Sequence, residues 1–275
     1  PYPTLSHLLD EVTGNEMRLR SIRENKHALT QVLHTQLNRA RKKLKLQKDE
    51  LEQAENGEEY KEKAELILAN LSSLSKGADR VCLFDFNHEK EVQIRLDPAL
   101  SPVENAQKYF KKYQKAKKAM IALAGQLTKT KEELDYLESL ELALDRADDE
   151  RTISELKEEF MEAGLIGKNL KKSKNPRPAY KPYKFISPEN AEIYVGKNNL
   201  QNDWLTFHLA KPNDLWFHIK DYPGSHVILK TGQREANSAD ILAAANLAVY
   251  FSKARGSTKV RIDYTPRKNV KKPPG

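Results

Sequence analysis

The residues with the widest chemical repertoire fall in one run, Asp214-Leu215-Trp216-Phe217-His218-Ile219-Lys220, then Asp221-Tyr222-Pro223-Gly224, then Ser225-His226-Val227-Ile228-Leu229. Two imidazoles this close in sequence can share a metal ion, pass a proton between them or hydrogen-bond a phosphate. Strand register decides which. Pro-Gly marks a turn between two β-type runs. If a four-residue loop closes them as an antiparallel pair without a bulge, Ile219 faces His226 and His218 faces Val227. The imidazoles then lie on opposite sheet faces, because successive side chains alternate. That register excludes a shared metal or an acid–base dyad, and His208 adds no third ligand at a metal spacing. His218 and His226 are expected either to be satisfied within the structure or to touch a phosphate, with Trp216, Lys220 and Ser225 beside them.

A second group is Lys108, Tyr109, Phe110, Lys111, Lys112, Tyr113, Lys115, Lys117 and Lys118, six lysines interleaved with three aromatics. Lys111, Lys112, Lys115 and Lys118 can meet phosphates while the rings stack on bases. The plainer account makes Phe110 and Tyr113 packing residues and the lysines a solvated face. A third group frames the histidine run: Lys197, Asn198 and Asn199 with Asn202 on one side, and Arg267-Lys268-Asn269-Val270-Lys271-Lys272 on the other. Asn and Arg hydrogen-bond base edges and phosphates, so these positions suit single-stranded or loop RNA; a turn and a basic tail account for the same residues without RNA. The sequence holds no phosphate loop, dinucleotide fingerprint, nucleophile elbow or paired acid–histidine spacing. The reading is of a binding protein, not an enzyme, with no cofactor and no metal.

Several elements must position these groups. From Glu16 to Ala54 there is no glycine or proline, and Leu37, Ala40, Leu44, Gln47, Leu51 and Ala54 alternate spacings of three and four, a coiled-coil seam. Gly57 breaks it, and a shorter helix is expected through Ser75. Val81–Phe86 and Glu91–Leu96 read as a small β-hairpin. Ser101-Pro102-Val103-Glu104 starts a second long helix, to about Arg146, whose seam is Leu123, Leu127, Thr130, Leu134, Leu137, Glu141 and Leu144. The two helices, roughly 40 and 45 residues or about 60 and 67 Å at 1.5 Å per residue, match in length.

The fold class expected is therefore α + α/β. Residues 1–163 form a long antiparallel helical coiled coil with a small tip domain inserted at about 56–100, and 185–275 form a mixed α/β domain. Between them, 164–184 reads as a basic, proline-containing linker: Lys168 to Lys184 holds seven bases, three prolines and no acid, too polar to bury a core. The C-terminal domain is expected to carry strands at Ala191–Val195, Leu205–Leu209, Leu215–Lys220 and Ser225–Lys230. An alanine-rich helix, Ala236–Ala254, and a strand, Lys259–Tyr264, complete it.

Composition agrees with an extended, binding molecule. Of the 275 residues only 39% are hydrophobic and 31% are charged, poor in core for one compact globule. A formal net charge of +8 favours polyanionic partners. The one cysteine, Cys82, cannot form an intrachain disulfide. The apolar stretch Ile241–Phe251 is too short for a membrane span. The opening Pro1-Tyr2-Pro3-Thr4 lacks a signal peptide, and the chain is expected to begin inside a longer protein.

Specific strings carry more than composition. The run from Ser101-Pro102 through Tyr113, Tyr194-Val195-Gly196-Lys197-Asn198-Asn199, Asp214 to His226, and Asp263-Tyr264-Thr265 with Arg267-Lys268-Asn269-Val270-Lys271-Lys272 together resemble the NFACT family, over nearly the whole chain. The resemblance implies a ribosome quality-control factor in the cytoplasm that binds the large ribosomal subunit. Such factors recruit tRNA, for alanine in bacteria, to tail stalled nascent chains. The family's N-terminal domain and helix-hairpin-helix have no counterpart here, so the chain is expected to bind and not to elongate. Gram-positive members are also described as fibronectin or fibrinogen adhesins that reach the cell surface by signal-less export, and that alternative stands beside the first.

Overall fold

The computed structural model describes residues 4–167, 180–232 and 235–272. The chain divides into two compact units, Ala40–Glu132 and Pro1–Arg39 with Glu133–Gly275. Long helices α1 (Leu5–Glu55) and α3 (Pro102–Arg146) supply residues to both. Among the described residues no helix is long and apolar enough to cross a membrane.

Heptad-like spacing sets which faces of these helices are covered. Leu33, Leu37, Ala40 and Gln47 on α1 are buried, as are Leu127, Thr130, Leu137 and Leu144 on α3, while Leu44, Leu51, Leu123 and Leu134 are half-buried. Within the larger unit α1 and α3 run antiparallel: the Lys26 ammonium donates to the Asp145 carbonyl at 2.7 Å, and His34 lies 3.7 Å from Glu141. Within the smaller unit Gln47 donates to Gln126 at 3.4 Å. α1 begins at Leu5, well before the expected start at Glu16, and passes through Gly14, where an added Cβ would meet nothing within 4 Å; a solvated glycine costs a helix only about 1 kcal/mol.

The smaller unit adds α2 (Glu58–Ala69) and an antiparallel hairpin, β1 (Arg80–Asp85) with β2 (Lys90–Arg95), in the register Arg80↔Arg95 to Asp85↔Lys90. Ala64, Ile67, Leu83, Ile94, Leu96, Ala106 and Tyr109 form its core. The α1–α2 turn needs Gly57, since a Cβ there would lie 2.5 Å from that of Ala116. α3 starts where its cap predicts: Ser101 N donates to Glu104 at 2.7 Å and Glu104 N donates to Ser101 Oγ at 3.3 Å, a reciprocal capping box.

In the larger unit α4 (Glu150–Glu162), capped by Asp149, precedes a five-stranded sheet ordered β3-β4-β6-β5-β7. These strands are β3 (Tyr183–Ile186), β4 (Glu192–Val195), β5 (Leu215–Ile219), β6 (Val227–Leu229) and β7 (Ile262–Pro266). Every pairing is antiparallel, so the domain is α+β. Ile193, Val195, Phe217, Val227 and Leu229 turn one sheet face toward Ala244, Ala248 and Phe251 of α6 (Ser238–Tyr250) and the turn after it. Much of the expected linker, 168–179, lies outside the described residues; near its end Tyr183 pairs with Val195 as the first residue of β3.

One expected strand is a helix. Leu205–Leu209 continues α5 (Asn199–Trp204) as a π-helical turn. Asn198 caps α5 by accepting from Gln201 N at 2.8 Å, and a helix already nucleated outweighs the β preference of Leu-Thr-Phe.

Candidate nucleic-acid interface

The register of β5 and β6 overturns the opposite-face expectation for the histidines. Leu215 pairs with Leu229, Trp216 with Ile228 and Phe217 with Val227, one residue away from the register a simple four-residue loop would give. The loop is not a local turn. Ser225 N donates to Phe251 O at 3.0 Å, Lys253 N donates to Pro223 O at 3.0 Å, and Gly224 bridges Ser252. Gly224 is required there, because a Cβ would meet Ile219 at 2.8 Å. Long-range bonds to the end of α6 thus hold the loop and shift the pairing by one residue.

Trp216, His218 and His226 consequently share the sheet face opposite α6. Their ring centroids are 5.8 Å apart for Trp216–His218, 5.1 Å for Trp216–His226 and 5.5 Å for His218–His226. His226 Nδ1 lies 2.8 Å from Thr206 Oγ1 in the π-helical turn, and the His226 backbone N–H donates to Asn202 Oδ1 at 3.0 Å. Burial, then the neighbouring His218, pushes the His226 imidazole down to about 3; burial also lowers His218. Both rings are therefore neutral at physiological pH. Among the described residues Trp216 Nε1–H is buried without an acceptor.

The Asn and Gly string beside them forms a joint. Asn198 is 3% exposed and donates to Glu155 of α4 at 2.9 Å; Gln201 donates to the same carboxylate at 2.6 Å. Asn199 donates to Glu159 and to Ser139 Oγ, both at 2.8 Å. Burial raises Glu159 to about 7. Gly196 admits no Cβ, which would lie 2.1 Å from Asn202 Oδ1, and its carbonyl accepts from Ser225 Oγ at 2.6 Å. Asn198, Asn199 and Ser225, read from sequence as RNA contacts, are thus occupied inside the protein, since burying an amide or hydroxyl requires a partner. Sequence reasoning missed Glu155 and Glu159; only their i,i+4 spacing facing one element could have flagged them.

The basic residues divide similarly. The Lys197 ammonium lies 3.1 Å from Asp149 and 4.7 Å from the Tyr183 ring centroid. Arg267 Nε donates to Thr206 O at 2.7 Å, fastening the π-helical turn. Lys220 and Lys268 are exposed. In the smaller unit Lys111, Lys115 and Lys118 are exposed, at i, i+4 and i+7 on one helix face. An open groove of about 530 Å³ runs beside Lys108, Lys111, Lys112 and Lys115. Two of the interleaved aromatics serve packing: Phe110 packs against the core of the smaller unit, and Tyr109 is buried and donates to Arg95 O at 2.7 Å, with the Lys112 ammonium 5.1 Å over its ring.

Among the described residues one group could hold a cation: Glu62, Asp85 and His88 offer ligand atoms within 4.8 Å of one another. Asp85 accepts from Asn87 N at 2.9 Å and contacts His88 Nδ1 at 2.7 Å, the contacts that close the β1–β2 turn.

Known proteins share this architecture and sequence. Residues 1–179 match the family model for NFACT N-terminal and middle domains, and 181–275 match that for the NFACT protein RNA binding domain. The chain is 38% identical over 275 residues to the Rqc2 homolog RqcH of Streptococcus pneumoniae serotype 2, covering 100% of this chain and 49% of that protein. The Bacillus subtilis Rqc2 homolog RqcH is 36% identical over 280 residues, with 100% and 48% covered. The solved structure of the C-terminal of the fibronectin/fibrinogen-binding protein from Streptococcus suis is 34% identical with a TM-score of 0.67, covering 92% of this chain and 87% of that one. The chain spans about half the length of the curated relatives it matches.

Proposed function

Because the chain belongs to the NFACT family, we propose that it is the RNA-binding half of a cytoplasmic ribosome quality-control factor. It engages the large ribosomal subunit and tRNA by binding alone, without catalysis. In the whole protein that binding recruits alanyl-tRNA for C-terminal tailing of stalled nascent chains. α1 and α3 act as an antiparallel coiled coil with residues 56–100 at its tip. The observation that carries the reading is the exposed row Lys111, Lys115 and Lys118, with no acid between Gln107 and Lys118, in a chain that also matches an RNA-binding domain model. Exposed lysines on one helix face gain affinity for phosphates by releasing counterions. The test is co-sedimentation with large ribosomal subunits as salt is raised. The wild-type chain is retained at low salt and released at high salt, and Lys111→Glu, Lys115→Glu and Lys118→Glu together abolish retention. Retention unchanged by the triple replacement would defeat the reading.

A second reading is favoured by one observation, the likeness to the solved fibronectin/fibrinogen-binding protein of Streptococcus suis. On that reading the chain is displayed at the cell surface and binds fibronectin or fibrinogen. Surface plasmon resonance at physiological salt tests it, and the absence of saturable binding would count against it.

A further inference from the structure

We infer that Trp216, His218 and His226 form a nucleobase site, taking an unstacked base of single-stranded RNA and leaving the phosphates to the lysines. The inference rests on the RNA-binding reading above and specifies which part of the RNA this face receives.

Three observations carry it. First, the rings are not needed for the core. The α6 side of the sheet is filled by Phe217, Val227, Leu229, Ala244 and Ala248, whereas Trp216, His218 and His226 lie on the other side and remain half-buried. Second, the chemistry is that of a base receptor. Trp216 and His218 lie near-parallel, 16° between planes, and His226 stands edge-on to both at 80° and 86°. Neutral heteroaromatic rings offer stacking faces and ring-nitrogen donors and acceptors for a base edge. They lack the charge a phosphate site uses, and the acids facing the pair include Asp263, opposite His218 on β7.

Third, the site is built but incomplete. Trp216 Nε1–H is buried with no acceptor among the described residues, and a buried native donor left unsatisfied requires an explanation. A base carbonyl or ring nitrogen reaching this side of the indole supplies that acceptor, and because the N–H has no accessible surface a neighbouring ring must shift to admit it. The site is also backed by the π-helical turn Leu205–Leu209, whose Thr206 contacts His226 and whose Thr206 carbonyl is held by Arg267. Such turns recur at functional sites because they re-aim side chains at a cost in helix geometry.

Trp204 and Trp216 are the two tryptophans, so Trp204→Phe leaves Trp216 as the sole indole reporter in the full chain. Titration with single-stranded oligoadenylate should quench Trp216 fluorescence saturably, while a duplex RNA of equal length should not. Trp216→Phe or His218→Ala should weaken single-strand binding, read by anisotropy, by about tenfold, with duplex binding and its salt slope retained as evidence of folding. If single-stranded RNA binds but neither the fluorescence nor the two variants respond, the base site is overturned and RNA binding survives. Equal quenching by duplex also overturns it. If neither RNA binds, this inference falls together with the reading it rests on.

Discussion

The imidazoles of His218 and His226 meet edge to face on one side of the sheet, with ring centroids 5.5 Å apart and planes at 86°. That relationship follows from a one-residue register shift, fixed by bonds from the β5–β6 loop to Phe251 and Lys253. It makes this face a cluster of neutral rings instead of two isolated histidines.

Neutrality of His226 makes stability depend on pH. Its pKa in the fold is about 3, against roughly 6.5 in an unfolded chain, so the unfolded state takes up a proton first. The stabilisation is full above about pH 6.5 and shrinks as pH falls toward 3, by at most ~1.4 kcal/mol per unit. Urea midpoints measured at about pH 7.5 and about pH 5 should fall for the wild type more than for His226→Asn. Equal falls would mean His226 does not carry the effect.

Glu159 has the opposite sign. Its carboxyl is raised to about 7 by burial, so the folded state holds a proton that the unfolded chain releases from roughly pH 4.5 upward. Stability from this group is present at low pH and lost as pH rises through 7. Glu159→Gln keeps an acceptor for Asn199 and Tyr136 and removes the buried charge. The variant should gain on the order of 1–3 kcal/mol at about pH 8 and little at about pH 5, read by chemical denaturation.

Asn198→Ala should be among the most damaging polar changes in the chain. It removes the α5 cap, worth about 1 kcal/mol, and strips a donor from the buried Glu155 carboxylate, which adds about 1–3 kcal/mol. A drop of roughly 2–4 kcal/mol in unfolding free energy is expected; a loss under about 0.5 kcal/mol would show that Gln201 and Arg151 satisfy Glu155 without it.

Gly196→Ala tests the close approach of β4 to α5. The new methyl would lie 2.1 Å from Asn202 Oδ1, so the bond from His226 N to that oxygen must break or the backbone must move, at about 1–3 kcal/mol. Thermal unfolding should drop by several degrees. A changed Trp216 fluorescence environment should accompany it, because Asn202 positions His226.

Replacing Lys111, Lys115 and Lys118 with alanine should leave unfolding within about 0.5 kcal/mol per site, since all three are exposed. The slope of log affinity for RNA against log salt should flatten by up to about 0.7–0.9 for each phosphate that is no longer neutralised. An unchanged slope would assign phosphate binding to other residues.

The sequence by itself determined the long helices α1 and α3 and the basic strings. Alternating three-and-four spacing located the covered faces of α1 and α3, and Ser101 with Glu104 located the start of α3, because helix period and capping are local. The hairpin β1–β2 was legible for the same reason: its turn closes on itself through Asp85, Asn87 and His88. Only the tertiary structure decided which partners the candidate residues meet. Leu205–Leu209 is a π-helical turn whose Thr206 is held by His226 and Arg267, both distant in sequence. Asn198, Asn199 and Ser225 are occupied by Glu155, Glu159 and Gly196, groups distant in sequence that no spacing rule connects. The shared face of His218 and His226 was fixed by loop bonds to residues after α6, and a single step of register sends every side chain of a strand to the opposite face.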